Sequence, residues 1–320
     1  MRVGDLELRP ASLDDAAIAA DVDTEANPND PEDPQMYRHW WSLATPDDIV
    51  ERQIALLDGA PGGYTEFEHR PWSKMPERFA EIHAELRPAA ATAGRLDALY
   101  SSLEERARTD SALRVSTWSW EWNGARLSVL AGRGFREDRR ERYWELDLVA
   151  GRERITAMAA ESRARMERKG IRLLTLGEDD DPKKFEKLKR MSDEAESDVP
   201  TTVPWVQIDM AEFMEWFESP ALRKDRIWIA RDGEDIVGIS QLTYPPVRGC
   251  VATDWTGMAR KARGRGIARA LKCETLMQAI ALGVDRVRTD NDATNAPILH
   301  INETMGYTRR PDMIQLIKQL

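Results

Sequence analysis

The sequence predicts an α/β (α+β) protein made of two tandem copies of one module, and three observations carry that reading. Strand-like and helix-like periodicities alternate along all 320 residues. Their order in the first half recurs in the second. From the middle of each half onward the recurrence has a fixed register: positions 91, 94, 123 and 134 return 172 residues later at 263, 266, 295 and 306. Gly94 thus matches Gly266, Asn123 matches Asn295, Gly134-Phe135 matches Gly306-Tyr307, Thr117 matches Thr289 and Leu99 matches Leu271. Chance matches at one offset would not also fall on equivalent elements.

The first copy opens with a strand at Leu6–Arg9 and a helix from Ser12, an N-cap type, to about Asp21. Asn27 to Gln35 is rich in Pro, Asp and Asn and reads as a loop. After His39-Trp40-Trp41, the run Thr45-Pro46-Asp47-Asp48 resembles the capped start of a short helix. Ile54–Leu57 and Gly63–His69 flank the turn Asp58-Gly59-Ala60-Pro61 and predict a hairpin. A strand at Phe79–Leu86 precedes a helix from Gly94 to Arg108, where Leu96, Leu99, Leu103 and Ala107 share one face. A strand at Leu113–Trp118, a short helix at Ala125–Ala131 and a strand at Arg142–Leu148 complete the copy.

A helical linker, Arg152 to Lys169, joins the halves. The second copy then gives a strand at Ile171–Leu174, helices at Pro182–Glu196 and Met210–Phe217, and a hairpin of Trp228–Arg231 with Ile236–Tyr244 around Asp232-Gly233. A strand at Val251–Met258 and a helix from Ile267 to about Leu282 follow. The boundaries expected are 1–149 for the first module, 150–169 for the linker and 170–320 for the second.

Composition narrows the function. The net charge of -10 argues against nucleic-acid binding, whose footprint is a basic patch, and is compatible with cationic small substrates. Cys250 and Cys273 lack metal-type spacing, and His39, His69, His83 and His300 are scattered, so neither a disulfide framework nor a metal site is expected. No apolar run reaches the roughly 18 residues of a membrane span, and the N-terminus lacks an apolar signal region. The expectation is a soluble cytoplasmic protein, monomeric or homodimeric, with no membrane partner.

The chemistry centres on Arg263-Gly264-Arg265-Gly266-Ile267-Ala268, between the strand ending at Met258 and the helix beginning at Ile267. First-turn helix amides have no intrahelical partner and the dipole there favours negative charge, so a glycine-bearing corner with two arginines reads as a diphosphate cradle. The first copy is an internal control. There Ala91, Thr92, Ala93 and Leu96 replace Arg263, Gly264, Arg265 and Ala268, while Leu130 replaces Asn302 and Ser119 replaces Asn291. It keeps its fold-determining residues and drops the polar ones, as a scaffold would.

On these residues the second half resembles the GNAT superfamily of acyl-CoA-dependent N-acetyltransferases. The family's Q/R-x-x-G-x-G/A signature is matched at each fixed position by Arg263 to Ala268, and a later motif by Thr289 to Asn295 and Asn302 to Tyr307. The resemblance covers about 150 residues strongly and extends weakly to residues 1–149 through Gly132-Arg133-Gly134-Phe135. The tandem layout resembles that of mycothiol synthase, although no residue match carries its substrate over. The resemblance implies two modules, each a mixed, largely antiparallel twisted sheet flanked by helices and splayed between its fourth and fifth strands. It implies acetyl-CoA as co-substrate, held through its pantetheine arm by the backbone of Thr256, Gly257 and Met258, and through its diphosphate by Arg263, Gly264, Arg265, Gly266, Ile267, Ala268 and Arg269. A bulge in the fourth strand would aim an N–H at the thioester carbonyl.

The implied reaction moves an acetyl group directly to a primary amine of a small molecule, which requires a base for the amine. Asp254, in the fourth strand, is the first candidate; strand alternation puts it and Trp255 on opposite faces, so only one faces the acceptor. Glu194, Glu196 and Asp198 are the alternatives. The family's usual acid is a tyrosine four residues before the Gly-Phe pair, where this chain has Asn302; an amide can orient a water or hydrogen-bond a thiolate but cannot act as a phenol does. Asn291 and Asn295 either contact the cofactor or cap the helix that follows, and the match of Asn295 to Asn123 favours the cap. Most of the eleven tryptophans read as core or inter-domain packing, including Trp118, Trp120 and Trp122, which alternate along one strand and its extension. Trp205, in Thr201-Thr202-Val203-Pro204-Trp205, and Trp255 read as walls of the acceptor site, and that loop with Asn27–Gln35 points to an enclosed pocket. Acyl transfer to a hydroxyl, a thiol or a protein amine, and cofactor binding without turnover, are the competing readings.

Overall fold

The computed structural model describes residues 1–43 and 47–320. The N-terminal half runs β1 (Arg2–Val3), β2 (Leu6–Pro10), α1 (Ala16–Ala26), α2 (Pro34–Ser42), β3 (Ile49–Leu57), β4 (Ala60–His69), β5 (Phe79–Leu86), α3 (Ala93–Thr109), β6 (Arg114–Trp120), α4 (Gly124–Gly132) and β7 (Arg136–Asp147). Helix α5 (Arg152–Arg168) crosses to the C-terminal half: β8 (Ile171–Thr175), α6 (Lys184–Glu196), α7 (Met210–Trp216), β9 (Ile227–Asp232), β10 (Asp235–Thr243), β11 (Ala252–Met258), α8 (Ile267–Ala281), β12 (Arg286–Asp292), α9 (Ala296–Met305), β13 (Thr308–Arg309) and β14 (Met313–Gln319). The fixed register holds in space. Strand β6 shifted by 172 residues is β12 end for end, and β7 so shifted covers β13 and β14.

All strands join one sheet in the order β1-β2-β3-β4-β5-β6-β14-β7-β12-β11-β10-β9-β8, with β13 beside β7. The two equivalent last strands have changed places: β14 lies between β6 and β7, and β7 runs beside β12 from Asp147 to Glu141. Their burial holds the exchange. Ile314 and Leu316 of β14 are in the N-terminal core with Val115, Leu99 and Tyr100. Trp144 and Leu146 of β7 are in the C-terminal core with Cys273, Leu276 and Val287. Each such side chain contributes roughly 1.5–3 kcal/mol by leaving water. Because β7 and β14 pair antiparallel at the centre, the axis relating the halves stands normal to the sheet, and equivalent helices lie on the same face.

The N-terminal half shows a sharp division of faces by strand alternation. Ala80, Ile82, Ala84 and Leu86 of β5 point into the core with α3. Glu81, His83 and Glu85 point the other way, into a cavity. The hairpin turn has Asp58 at φ 52° and Gly59 at φ 81°, the two left-handed residues of a tight two-residue connection.

Two local expectations change. Helix α2 begins inside the predicted loop, because Asp33 accepts from the backbone N–H groups of Gln35 and Met36 and Pro34 sits in the first turn. Of the run proposed to cap a helix, Thr45 and Pro46 lie outside the described residues, and the chain is already in β3 by Ile49, five residues before the strand start expected at Ile54. No helix among the described residues is long and apolar enough to cross a membrane.

Candidate active site

The sheet opens between β11 and β12. These parallel strands share a single paired position, Ala252 with Arg288, after which β11 pairs only with β10 on its other edge. The backbone of Thr256, Gly257 and Met258 therefore lines the gap on one side. Beyond it the chain turns through Gly264 at φ 73° and Gly266 at φ 85°, left-handed conformations that side chains adopt at a cost of roughly 1–2 kcal/mol. Gly266 is the N-cap of α8, and the backbone N–H groups of Gly264 through Arg269 donate to no other group among the described residues. The Arg265 carbonyl is held by Lys169 Nζ at 2.9 Å, which ties the linker helix to the turn.

The two arginines of the turn already have partners. Arg263 meets Asp198 at 2.7 Å and Arg265 meets Asp232 at 2.6 Å. Arg260 also binds Asp198, and together these cations hold that carboxyl at about 2, with the Arg260 hydrogen bond the larger cause. Glu194 accepts from the Arg260 backbone N–H. Glu194 and Asp198 are thus gathered at the turn rather than around Asp254.

Strand β11 carries a bulge. Gln241 pairs with Trp255 and Leu242 with Thr253, leaving Asp254 as the extra residue. The bulge corrects the expectation from strict alternation: the pairing puts both Asp254 and Trp255 on the face opposite Thr253. Asp254 accepts from Gln241 Nε2 at 2.6 Å and faces a cavity of about 940 Å³, while Trp255 packs beside the C-terminal core. On β12, Asp290 faces the same cavity. Both carboxylates touch solvent on the cavity side and are crowded by protein on the others. That crowding raises Asp254 above the usual carboxylate range, against the hydrogen bonds from Gln241 and Trp216, and raises Asp290 to about 7 with help from Glu141 and Asp254.

Beneath the gap lies a buried polar layer. Asn302, fully buried on α9, donates its amide to Asn291 Oδ1 at 2.6 Å, and its own Oδ1 has no partner. Lys272 of α8, 1% exposed, reaches Thr253 Oγ1 at 3.4 Å and lies 5.3 Å from the Tyr307 ring; burial lowers it to about 8. Asn295 makes no side-chain cap on α9, whereas its counterpart Asn123 accepts from the Arg126 N–H at 3.1 Å. The side-chain cap is therefore present in the first copy and absent from the second, against the expectation for Asn295.

Glu196 and Trp205 bind each other, Trp205 Nε1 donating at 3.2 Å, and burial raises the Glu196 carboxyl. Neither lines the large cavity, nor do Glu194, Asp198 and Trp255. The loop carrying Trp205 instead walls a second cavity of about 400 Å³ through Val203, Pro204 and Val206, which shares Trp40, Arg52, Glu68 and Glu81 with the first. Trp118, Trp120 and Trp122 prove to be cavity walls rather than core, and Asp30 to Asp33 of the Pro/Asp-rich loop line the cavity too.

The equivalent gap of the N-terminal half is closed. Strands β5 and β6 pair at Phe79, Ala80 and Glu81 before diverging, and β5 has no bulge against β4. Arg126 fills the space beyond. Its guanidinium, 3% exposed, donates to the Ala84 carbonyl at 2.6 Å and meets Glu85 at 2.6 Å. Ala84 is the register counterpart of Thr256. The turn into α3 is shut as well, since the Thr92 hydroxyl accepts from the Arg95 N–H. Among the described residues Asp23, His83 and Glu85 have metal-like spacing, but Arg126 already neutralises Glu85.

Residues 188–307 match the acetyltransferase (GNAT) family. Residues 188–307 are a GNAT acetyltransferase domain. That domain makes the chain an acyltransferase; acyl transfer from an acyl-CoA is the chemistry of the domain's family. No curated protein sequence matches the chain significantly. Solved structures with the same tandem fold include a GCN5-related N-acetyltransferase from Sphaerobacter thermophilus (17% identity, TM-score 0.69, 99% of this chain and 96% of that one). A tandem GNAT protein from the clavulanic acid biosynthesis pathway is similar at 14% identity and a TM-score of 0.72, covering 98% of each chain. A third structure, of a protein from Pyrococcus horikoshii, is similar at 12% identity and a TM-score of 0.57, over 100% of this chain and 91% of that one. At these identities the likeness is one of fold.

Asp290, Lys272, Gln241 and Arg126 escaped the sequence reading. Asp290 lay inside a quoted motif and alternation alone would have turned it away from Asn291. Lys272 has a weaker signal, a cation among the buried Ala270, Leu271 and Cys273 of α8. Nothing in the sequence marks Arg126 as a plug.

Proposed function

We propose that the chain transfers an acetyl group from acetyl-CoA to a primary amine of a small molecule, at one site in residues 170–320. Residues 1–149 serve as a scaffold that binds no cofactor, joined through the helix of the 150–169 linker. The observation that carries this reading is the contrast between the two gaps, one open with a bulge and a free-amide turn, the other filled by Arg126. The residues present suit the co-substrate. The amides of Arg265 to Arg269, with Gly264 and Gly266, form a concave donor set for a diphosphate. Arg263 and Arg265 orient that turn through Asp198 and Asp232 and are within reach to exchange those partners for phosphate. The free edge at Thr256, Gly257 and Met258 suits an added strand-like arm. Asn291, Asn295 and Asn302 offer amides at the gap, the orphaned Oδ1 of Asn302 among them.

Acetyl-CoA supplies the acyl group as an activated thioester. Asp254 accepts the proton of the incoming ammonium, directly or through water, and its raised affinity for protons brings it closer to the working pH of a general base. Gln241 fixes its orientation. The bulge turns a backbone N–H toward the gap as an oxyanion donor. With Asn302 in the usual acid position, the departing thiolate is stabilised by hydrogen bonds from Asn302 and by the charge of Lys272. The seclusion of Asn302 against Asn291 favours one second reading, cofactor binding without turnover.

The test is release of free CoA thiol from acetyl-CoA with panels of primary amines, alcohols and thiols, and with lysine peptides. Release confined to amines of small molecules supports the proposal. Release only with hydroxyl, thiol or peptide acceptors overturns the acceptor assignment. Tight acetyl-CoA binding with no release on any panel favours the second reading.

A further inference from the structure

The large cavity is not confined to the half that carries the gap. It spreads across the shared sheet from Asp254 on β11, past Asp290 on β12 and Glu141 on β7, to Glu81 on β5 and Glu68 on β4. At roughly 4.8 Å per strand, β11 and β5 stand about 24 Å apart along the sheet. Eleven carboxylate side chains line it against two arginines. The arginines are already committed, Arg52 to Glu66 and Arg126 to Glu85. Glu32, Glu68, Glu81 and Asp290 have no ion-pair partner among the described residues, whereas Asp30 of the same lining is paired with Arg288.

Two further observations point to a ligand. Aromatic rings wall the same space: Trp40 stands edge-on to Tyr37 at 5.3 Å, and Trp120 to Tyr143 at 4.6 Å, an arrangement that attracts ammonium groups through ring faces. Asp23 Oδ1 and His83 Nε2, both lining the cavity, are buried polar atoms without a hydrogen-bond partner.

We propose that the cavity is an acceptor chamber for a polycationic amine: one amine is presented at Asp254, and at least one more ammonium group is held on the N-terminal sheet by Glu68 and Glu81. The closed half thereby contributes the specificity for the open half's reaction. The exchange of β7 and β14 makes this possible, since it places the two sheet faces side by side in one wall. This inference rests on the amine-transfer reading above, and the experiment separates the two.

Spermine and a linear hexamine with three-carbon spacers, extended chains suited to the roughly 24 Å between β11 and β5, are compared as acetyl acceptors with hexylamine, for the intact protein and for E68Q/E81Q, with E234Q as a control on an exposed glutamate (97% exposed). Binding of spermine and of acetyl-CoA is followed separately by calorimetry, and thermal unfolding checks the fold. The expected result is a KM for at least one polyamine at least tenfold below that of hexylamine. In E68Q/E81Q this preference collapses toward unity, E234Q retains it, and acetyl-CoA affinity does not change. Hexylamine acetylated as well as every polyamine, or an unchanged preference in E68Q/E81Q, overturns the chamber and leaves the amine-transfer reading standing. Spermine binding that is lost in E68Q/E81Q, with no acetyl transfer to any amine, upholds the chamber and sinks the transferase reading.

Discussion

The two halves place the same elements at the same register and differ at the sheet opening and at the turn that follows it. In the C-terminal half the turn into α8 runs through two left-handed glycines, and its amides are free; in the N-terminal half the corresponding positions are Thr92 in extended conformation, at φ -130°, and a helical Gly94. One gap has a bulge and an open edge, the other an arginine bound across it. Chain connectivity and core pattern therefore do not make a cofactor site. In the proposed reading two positive φ angles, one inserted residue and one uncommitted edge make it, and each is a local feature that a copy can lose while its fold persists.

The contrast is broken most directly at the turn. Gly266→Glu forces a side chain and a negative charge onto a left-handed N-cap, and acetyl-CoA affinity should fall by at least about 100-fold in calorimetry. Gly94→Glu, where an added Cβ meets nothing within 4 Å, should leave both affinity and helicity unchanged. Loss of binding in the second variant, with intact circular dichroism, would mean that the N-terminal half takes part in cofactor binding.

Asp254→Asn keeps the shape and the contact with Gln241 but removes the base. It should lower kcat by roughly 10²–10³-fold with acetyl-CoA affinity little changed. A kcat within threefold of the parent would move the role to Asp290 or to Glu196.

Arg126→Leu leaves Glu85 with an uncompensated charge and should cost about 3–5 kcal/mol in denaturant unfolding. Arg126→Leu with Glu85→Leu should recover much of that loss and still bind one acetyl-CoA per chain. The plug is one of three obstacles, the others being the capped turn and the missing bulge. A stoichiometry of two would show that the plug alone closes the first site.

The smallest effect concerns pH. Burial raises Glu81 and Glu32 to about 8 and Glu68 and Asp290 to about 7, above their values in an unfolded chain of roughly 4. The folded state therefore holds more protons, so the stability linked to them is full below about pH 4 and is lost as pH rises through 7 and 8. Tm of the free protein should fall by a few degrees between pH 6 and 9, and E68Q/E81Q should flatten that slope. Spermine should lift Tm more at pH 8 than at pH 6. A Tm independent of pH in this window would mean that these carboxyls stay well enough hydrated for burial not to shift them.

Much of this was written in the chain. The α/β class, the tandem repeat, the strand at Phe79–Leu86 and the corner at Arg263–Ala268 follow from hydrophobic periodicity, glycine placement and one constant offset, each readable along the chain, while the candidacy of Asp254 came from the family resemblance. The helix at Pro34–Ser42 was legible in principle through Asp33 and Pro34 but was hidden by the polar run before it. Other features had no local signal. A bulge depends on what pairs with Gln241 and Leu242, and it alone put Asp254 and Trp255 on one face.

The rest was decided by tertiary structure. Trp118, Trp120 and Trp122 read as packing because alternation says that residues share a face, not what covers that face. Glu66, Glu68, Glu81 and Glu85 alternate as a solvated surface would, and they became a chamber wall only when the exchanged last strands laid two sheets edge to edge. The sequence by itself determined which elements form and which turn runs through two left-handed glycines, since backbone conformation and core burial are set within each module. The tertiary structure decided where the charges meet, because electrostatic fields and cavities arise from residues that are distant in the chain and brought together only by the fold.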